Sequence, residues 1–192
     1  MNSAGVSVTQ LSGLVKCFIS NKHGDIDVVE LDTSNGVIKL HFPPHTAKKV
    51  IDKIAVGQQV IADYTVKERP EKKPVLELES IRKDQRDEIL LINDKKQEKI
   101  KGGSPVETIK SENFTLIRGK KGEPVSILVD NKLVHFHKKD RELAAAVQPD
   151  SVLTIQANLR TDEGFVNEHN LPVYHIKSIT VDGQSILPSK KK

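Results

Sequence analysis

The stretch GVIKLHFPPH, Gly36 to His45, decides how this chain is read. Strand side chains alternate between two faces, so Ile38, Leu40 and Phe42 share one face while Val37, Lys39 and His41 share the other. Pro43-Pro44 then ends the run, because proline has no backbone donor for a sheet ladder. A second His-Phe pair closes a similar run in NKLVHFHKK, Asn131 to Lys139. There Val134 and Phe136 point inward, and Leu133, His135 and His137 point outward. The alternation thus puts His41 and His135 at matching outward positions.

Working outward from these pairs shows two copies of one plan. HGDIDVVELD (His23–Asp32) matches KGEPVSILVD (Lys121–Asp130), and VGQQVIADYTV (Val56–Val66) matches QPDSVLTIQANL (Gln148–Leu159). LELESIRK (Leu76–Lys83) matches VYHIKSITVD (Val173–Asp182). Each copy opens with a β run, Leu11–Ser20 or Ile109–Arg118, followed by a polar turn carrying Gly24 or Gly122. A second run, a turn (Thr33–Gly36 or Asp130–Lys132) and the His-Phe run come next. The period then changes. Ala47, Val50, Ile51 and Ile54 lie on one helical face, with Thr46 as N-cap and Gly57 as stop. The second copy offers Asp140 as N-cap, Leu143, Ala146 and Val147 inward, and Pro149 past the end. Two more β runs finish each copy.

Three strands, a helix and two strands is the element order of the OB-fold, a five-stranded Greek-key barrel. The expected fold class is therefore all-β: two tandem five-stranded OB-fold barrels, each with a helix between strands 3 and 4. The expected boundaries are 6–83 and 106–183 for the barrels, 84–105 for a charged linker and 184–192 for a basic, disordered tail. The linker ends in a flexible Gly-Gly-Ser-Pro joint. Its Asp84–Ile100 part reads as helical, with Ile89, Leu91 and Ile92 on one side.

Composition narrows the function. The chain carries 30 Lys and Arg against 26 Asp and Glu, a net charge of +4. Residues 1–83 hold 12 bases and 10 acids, and residues 112–192 hold the same numbers, three of the latter bases being Lys190, Lys191 and Lys192. Without that tail the second half is slightly acidic, so charge alone argues weakly for a polyanion ligand. One cysteine, Cys17, excludes an intrachain disulfide and a Cys-based zinc cage. No apolar window reaches the ~18–20 residues that span a bilayer, and the N-terminus lacks the features of a signal peptide. The expected location is cytoplasmic.

The segment NKHGDIDVVELDTSNGVIKLHFPPH resembles a motif of small, poorly characterised bacterial OB-fold proteins. That motif runs roughly Asn-x-His-Gly-Glu-Val-x-Gly, an apolar triplet, an Asp-Gly turn and Val-His-Phe-Pro-Pro-His. Asn21, His23, Gly24, Asp32, Gly36, His41, Phe42, Pro43, Pro44 and His45 fill it here. Asp25 stands for the Glu, Val28 for the internal Gly, and the turn is longer. The second copy keeps Gly122, Glu123, Asp130, Val134, His135 and Phe136. The resemblance implies an OB barrel, and nucleic-acid binding by analogy with other such barrels.

The residues support a binding protein rather than an enzyme. No nucleophile elbow, phosphate-cradling glycine loop or zinc-protease helix is present. OB barrels bind oligonucleotides on the face of strands 2 and 3 and the loops between strands 1–2 and 4–5. In this chain that surface comprises Lys39, His41, His135 and His137 on strand 3, with Tyr64 as an aromatic candidate. Lys22 and His23 lie in one 1–2 loop, Arg118, Lys120 and Lys121 in the other. Lys67, Arg69, Lys72 and Lys73 lie in the first 4–5 loop. Single-strand binders add stacked aromatics worth ~1–3 kcal/mol per base. Phe18, Phe42, Phe114 and Phe136 read as core, which leaves Tyr64, Phe165 and Tyr174. The expected ligand is single-stranded DNA or RNA, held weakly through its backbone. The alternative is a protein-interaction or assembly module with no nucleic-acid ligand. No metal and no cofactor are expected, since the His135–His137 pair lacks a nearby Cys or carboxylate.

Overall fold

The structure is a computed structural model that describes residues 7–21, 23–92, 104–119, 122–137 and 141–186, without the side chains at 72 and 141–143. The chain forms two compact units, residues 1–98 with 163–168, and residues 99–162 with 169–192. Both are mainly β.

The first unit is a closed five-stranded barrel. Its strands are β1 (Val8–Ser20), β2 (Ile26–Thr33), β3 (Gly36–His41), β4 (Gln59–Arg69) and β5 (Lys72–Arg82). β1 serves two neighbours: Val8–Leu14 pairs with β4, and Leu14–Ser20 pairs with β2. A register shift between Val15 and Cys17 separates the two halves, as a bulge that bends a strand should. β4 pairs with β5, and a parallel contact of His41 with Glu77 closes β3 onto β5. Gly36, at φ 102°, lets the β2–β3 turn close tightly.

The expected alternation is seen in the core. Leu40 and Phe42 are buried with Val15, Val29, Leu31, Val60, Ala62 and Ile81, while Val37 is 50% exposed. After Pro43 the chain makes one 3-10 turn, Pro44–Thr46, and then α1 (Ala47–Lys53). Ala47, Val50 and Ile54 join the same core. Burying each such aliphatic side chain is worth ~1.5–3 kcal/mol. Thr46 sits at the N-cap position, but its hydroxyl donates to the Pro43 carbonyl at 2.7 Å rather than capping the helix.

The linker differs from expectation. Within its described part, 84–92, there is no helix: Asp84–Asp87 form a turn, and Leu90–Leu91 form a short strand, β6. β6 pairs with Ser80 and Ile81 of β5, and the Ile92 amide donates to the Glu79 carbonyl. Leu90 and Ile92 turn inward and Leu91 stays 63% exposed, a strand alternation. Lys53 at the end of α1 pairs with Asp87 at 2.9 Å and pins the turn. Hydrogen bonds from Lys53 and the Lys83 amide hold the Asp87 carboxyl below its usual range. Residues 93–103, the remainder of the expected helix and joint, lie outside the described residues.

The second unit is an open sheet. Its strands are β7 (Val106–Ser111), β8 (Thr115–Arg118), β9 (Pro124–Val129), β10 (Lys132–His135), β11 (Leu153–Leu159), β12 (Val173–Val181) and β13 (Gln184–Ile186). They run in the order β7-β11-β12-β10-β9-β8, with β13 on β12. The second closed barrel is therefore not formed as a continuous ring. The reason is a break in the expected first strand, Ile109–Arg118. Ser111 Oγ donates to the Asn113 carbonyl at 2.7 Å and accepts from the Asn113 amide at 3.0 Å. Such local side-chain bonds compete with a ladder, so β7 and β8 become the two ends of the sheet. The β9–β10 turn uses Asp130 and Asn131, both at positive φ, the conformation that two-residue hairpins favour.

Two inward assignments change in this unit. α2 (Arg141–Ala146) is short and presents Ala144 to the core, followed by Val147 beyond its end; Ala146 is exposed. Leu133, expected outward, is 1% exposed because β10 lies centrally between β9 and β12, beside Val173. Asp140, the Leu143 side chain and the tail beyond Ile186 lie outside the described residues. No helix among the described residues is long and apolar enough to cross a membrane.

Ile92 tests the docking of 84–92. Ile92→Ala should destabilise the first unit by about 2 kcal/mol or more in urea unfolding. A change within ~0.5 kcal/mol, the range of an ordinary surface substitution, would show that the segment does not share the core.

Candidate functional site

The expected binding surface begins at the turn Asn21–Asp25. Asn21 Oδ1 accepts from the His23 amide at 2.8 Å, and the Gly24 amide returns to the Asn21 carbonyl at 3.0 Å. An asparagine that bonds the backbone two residues on makes a turn of its own side chain. Asn21 and Gly24 of the motif are thus turn-formers, and His23 is left exposed at the tip. Asp25 is buried and Asp27 partly so. Burial raises the Asp27 carboxyl above its usual value, against a hydrogen bond from Asn21 and the nearby His41.

On the outer face of the first barrel, side chains meet in register across the strands. One row joins Val28, His41 and Glu77. The next joins Cys17, Glu30 and Lys39. Glu30 is 9% exposed, and the ammonium groups of Lys16 and Lys39 each lie 3.3 Å from its carboxylate. Burial pushes this carboxyl up, but hydrogen bonds from Lys16 and Lys39 outweigh it and leave it below the usual range. Lys67 pairs with Glu77 at 2.9 Å. Two of the expected phosphate-binding lysines, Lys39 and Lys67, are therefore engaged by carboxylates of the barrel itself. His41 is half-buried between its neighbours.

The loop between strands 4 and 5 is a ribbon rather than a loop. β4 continues to Arg69 and β5 starts at Lys72, so only Pro70 and Glu71 make the tip. Every side chain described from Val66 to Pro74 is exposed. Arg69 and Lys73 form no ion pair among the described residues. Tyr64, offered as a stacking candidate, instead packs half-buried against the core.

In the second unit a comparable row joins Ser126, His135, His175 and Asn158. His135 Nδ1 is 2.6 Å from Ser126 Oγ. His137 is exposed and stacks on His175, with ring centroids 5.1 Å apart and planes at 10°. His135 and His175 are 6.5 Å apart. His175 was not singled out from the sequence, although its outward phase in VYHIKSITVD could have revealed it. Among the described residues no three His, Cys, Asp or Glu side chains are placed to hold a metal ion. Arg118 bends back to donate to the Gly122 carbonyl at 2.9 Å. Tyr174 is buried; burial, with its hydrogen bond to Glu107, raises its hydroxyl above the usual value. Lys22, Lys120, Lys121 and the Lys72 side chain lie outside the described residues. An open cavity of about 350 Å³ at the break between β7 and β8, lined by Phe114, Leu128 and Asp130 among others, lies apart from these rows.

Comparison with known proteins finds no match to a family model, a curated protein or a solved structure.

The Lys16–Glu30–Lys39 bridge has a definite pH signature. A carboxyl lowered in the folded state stabilises it above the ordinary value of 4.5, and that stability disappears as pH falls through the lowered value. Glu30→Gln should therefore lower the melting temperature at pH 7, with the gap to the parent closing towards about pH 3. A gap that stayed constant across this range would show that the bridge adds nothing to folding.

Proposed function

We propose that both units are OB-type barrels of one duplicated plan and that the chain is a non-catalytic, cytoplasmic protein that binds single-stranded nucleic acid weakly. The plan is supported by two rows of partners. In the first unit the row is Val28, His41, Glu77, Thr65 and Val8; in the second it is Ser126, His135, His175, Asn158 and Val106. Each pair of counterparts is separated by 93 to 98 residues of sequence. A further strand also follows in each, with Leu90 opposite Ile81 and Ile186 opposite Ile179.

The observation that carries the ligand is the β4–β5 ribbon. It projects Arg69 and Lys73 into solvent without internal carboxylate partners among the described residues, and phosphates are what such free cations attract. The binding is weak for two reasons. Lys39 and Lys67 are already neutralised, and Tyr64 and Tyr174 are withdrawn into cores instead of offering stacking platforms. That internal neutralisation also favours the second reading, a protein partner and no nucleic acid.

Titration of labelled oligo-dT and oligo-U with residues 1–186 distinguishes the two. Binding should appear at low salt and weaken steeply with added salt. Arg69→Ser with Lys73→Ser should reduce the slope of log affinity against log salt by about 2, one per lost phosphate contact. Absence of binding at low salt by this tail-less chain would remove the nucleic-acid reading and leave the protein partner.

A further inference from the structure

The first unit contains one segment that sequence order does not place there, Glu163–Glu168. It lies in the connection between β11 and β12, yet it completes the end of the first barrel. The Ile26 amide donates to the Val166 carbonyl at 2.8 Å, and the Glu168 amide to the Gly24 carbonyl at 3.1 Å. Asp25 and Asn167 form an antiparallel bridge. On its other side the Lys48 amide donates to the Gly164 carbonyl at 2.9 Å. Val166 packs against the barrel core, Asn167 is 7% exposed, and Ser20 Oγ donates to Glu168 at 2.7 Å.

This is how an extended peptide is held when it adds to a sheet edge: backbone bonds supply affinity, and side-chain sites supply selectivity. The selectivity here is specific. Gly164 has φ 85°, and a Cβ on it would collide with the His45 carbonyl oxygen, so this position admits only glycine. Phe165 sets its ring 6.3 Å from the His45 ring. Val166 enters an apolar site, and Asn167 a buried polar one beside Asp25.

We propose that the groove between Gly24–Ile26 and His45–Lys48 is a peptide-recognition site for extended segments of the form Gly-aromatic-β-branched-Asn. Its resident occupant is the chain's own Gly164–Asn167, which an external peptide of the same chemistry can replace. The groove is separate from the β4–β5 ribbon, and a peptide ligand does not depend on the nucleic-acid reading.

A tethered occupant competes at an effective concentration on the order of millimolar. A peptide with an intrinsic Kd of about 100 µM would then appear roughly tenfold weaker on the intact chain. The test uses a fluorescent peptide spanning residues 160–170 and two full-length variants. One is Gly164→Val; in the other, residues 163–168 are replaced by a Gly-Ser stretch of equal length. Both should bind the peptide about tenfold or more tightly than the parent chain, and a peptide carrying Gly164→Val should bind none of them. Equal binding to parent and variants would overturn the proposal, because the groove would not be filled by its own chain. So would absence of binding to variants that still melt cooperatively. For a variant that loses its cooperative melt, the wild-type peptide should restore it and the substituted peptide should not; failure to restore it counts against the proposal.

Discussion

The bend of β1 at Val15–Cys17 is the constraint on which the first barrel depends. One strand must face β4 along Val8–Leu14 and β2 along Leu14–Ser20, and an unbent strand cannot turn from one to the other. The register shift supplies that turn and leaves Lys16 on the outside, where it reaches Glu30. Closure, the core alignment of Val15 with Leu31 and the outer Lys-Glu-Lys bridge all follow from one extra residue. In the second unit the corresponding run holds Ser111-Glu112-Asn113 at the bend. Serine and asparagine satisfy each other there, and the strand divides instead of bending.

Much of this was legible in residues 36–45. Alternation assigned Leu40 and Phe42 inward and Val37 outward, and the prolines marked where the strand had to stop. The parts that were not legible share a physical cause. Residues 88–92 carry too few apolar positions to separate a strand from a helical face, and only the pairing with Ser80 and Ile81 decides between them. Leu133 has the phase of an outward residue, but phase says nothing about whether an outer face is covered. The docking of Glu163–Glu168 rests on backbone bonds, which any residue can make, and its one sequence marker is a glycine among several. The turn residues Asn21 and Gly24 look like a site in sequence and prove to be turn chemistry. Lys39 and Lys67 look like free cations, because sequence order does not show which carboxylate stands on the next strand.

The two seams show how the same pairing scheme tolerates different solutions. In the first unit, β3 meets β5 at one residue pair, His41 with Glu77, and β6 continues along the same strand at Ser80 and Ile81. The ring is closed by an unbroken β1, so the seam can be thin. In the second unit β10 and β12 pair over three residues, Leu133 to His135, while the broken first strand leaves the sheet open. A longer parallel seam holds β10 centrally where ring closure does not, which also explains why Leu133 and Val173 are buried there.

The chemistry of the outer row changes with the seam. His41 stands beside Glu77, whose carboxylate also holds Lys67, so positive charge on that row is balanced within the barrel. At the same place in the second unit His135 stands beside His175, with His137 stacked above. The frame sets where these side chains meet, but a single exchange of Glu for His at the β12 position turns a neutralised row into an imidazole cluster. Two barrels of one plan can therefore present different surfaces to a ligand without altering a strand. For that reason the outer face of each unit has to be read from its own partners, not from its counterpart.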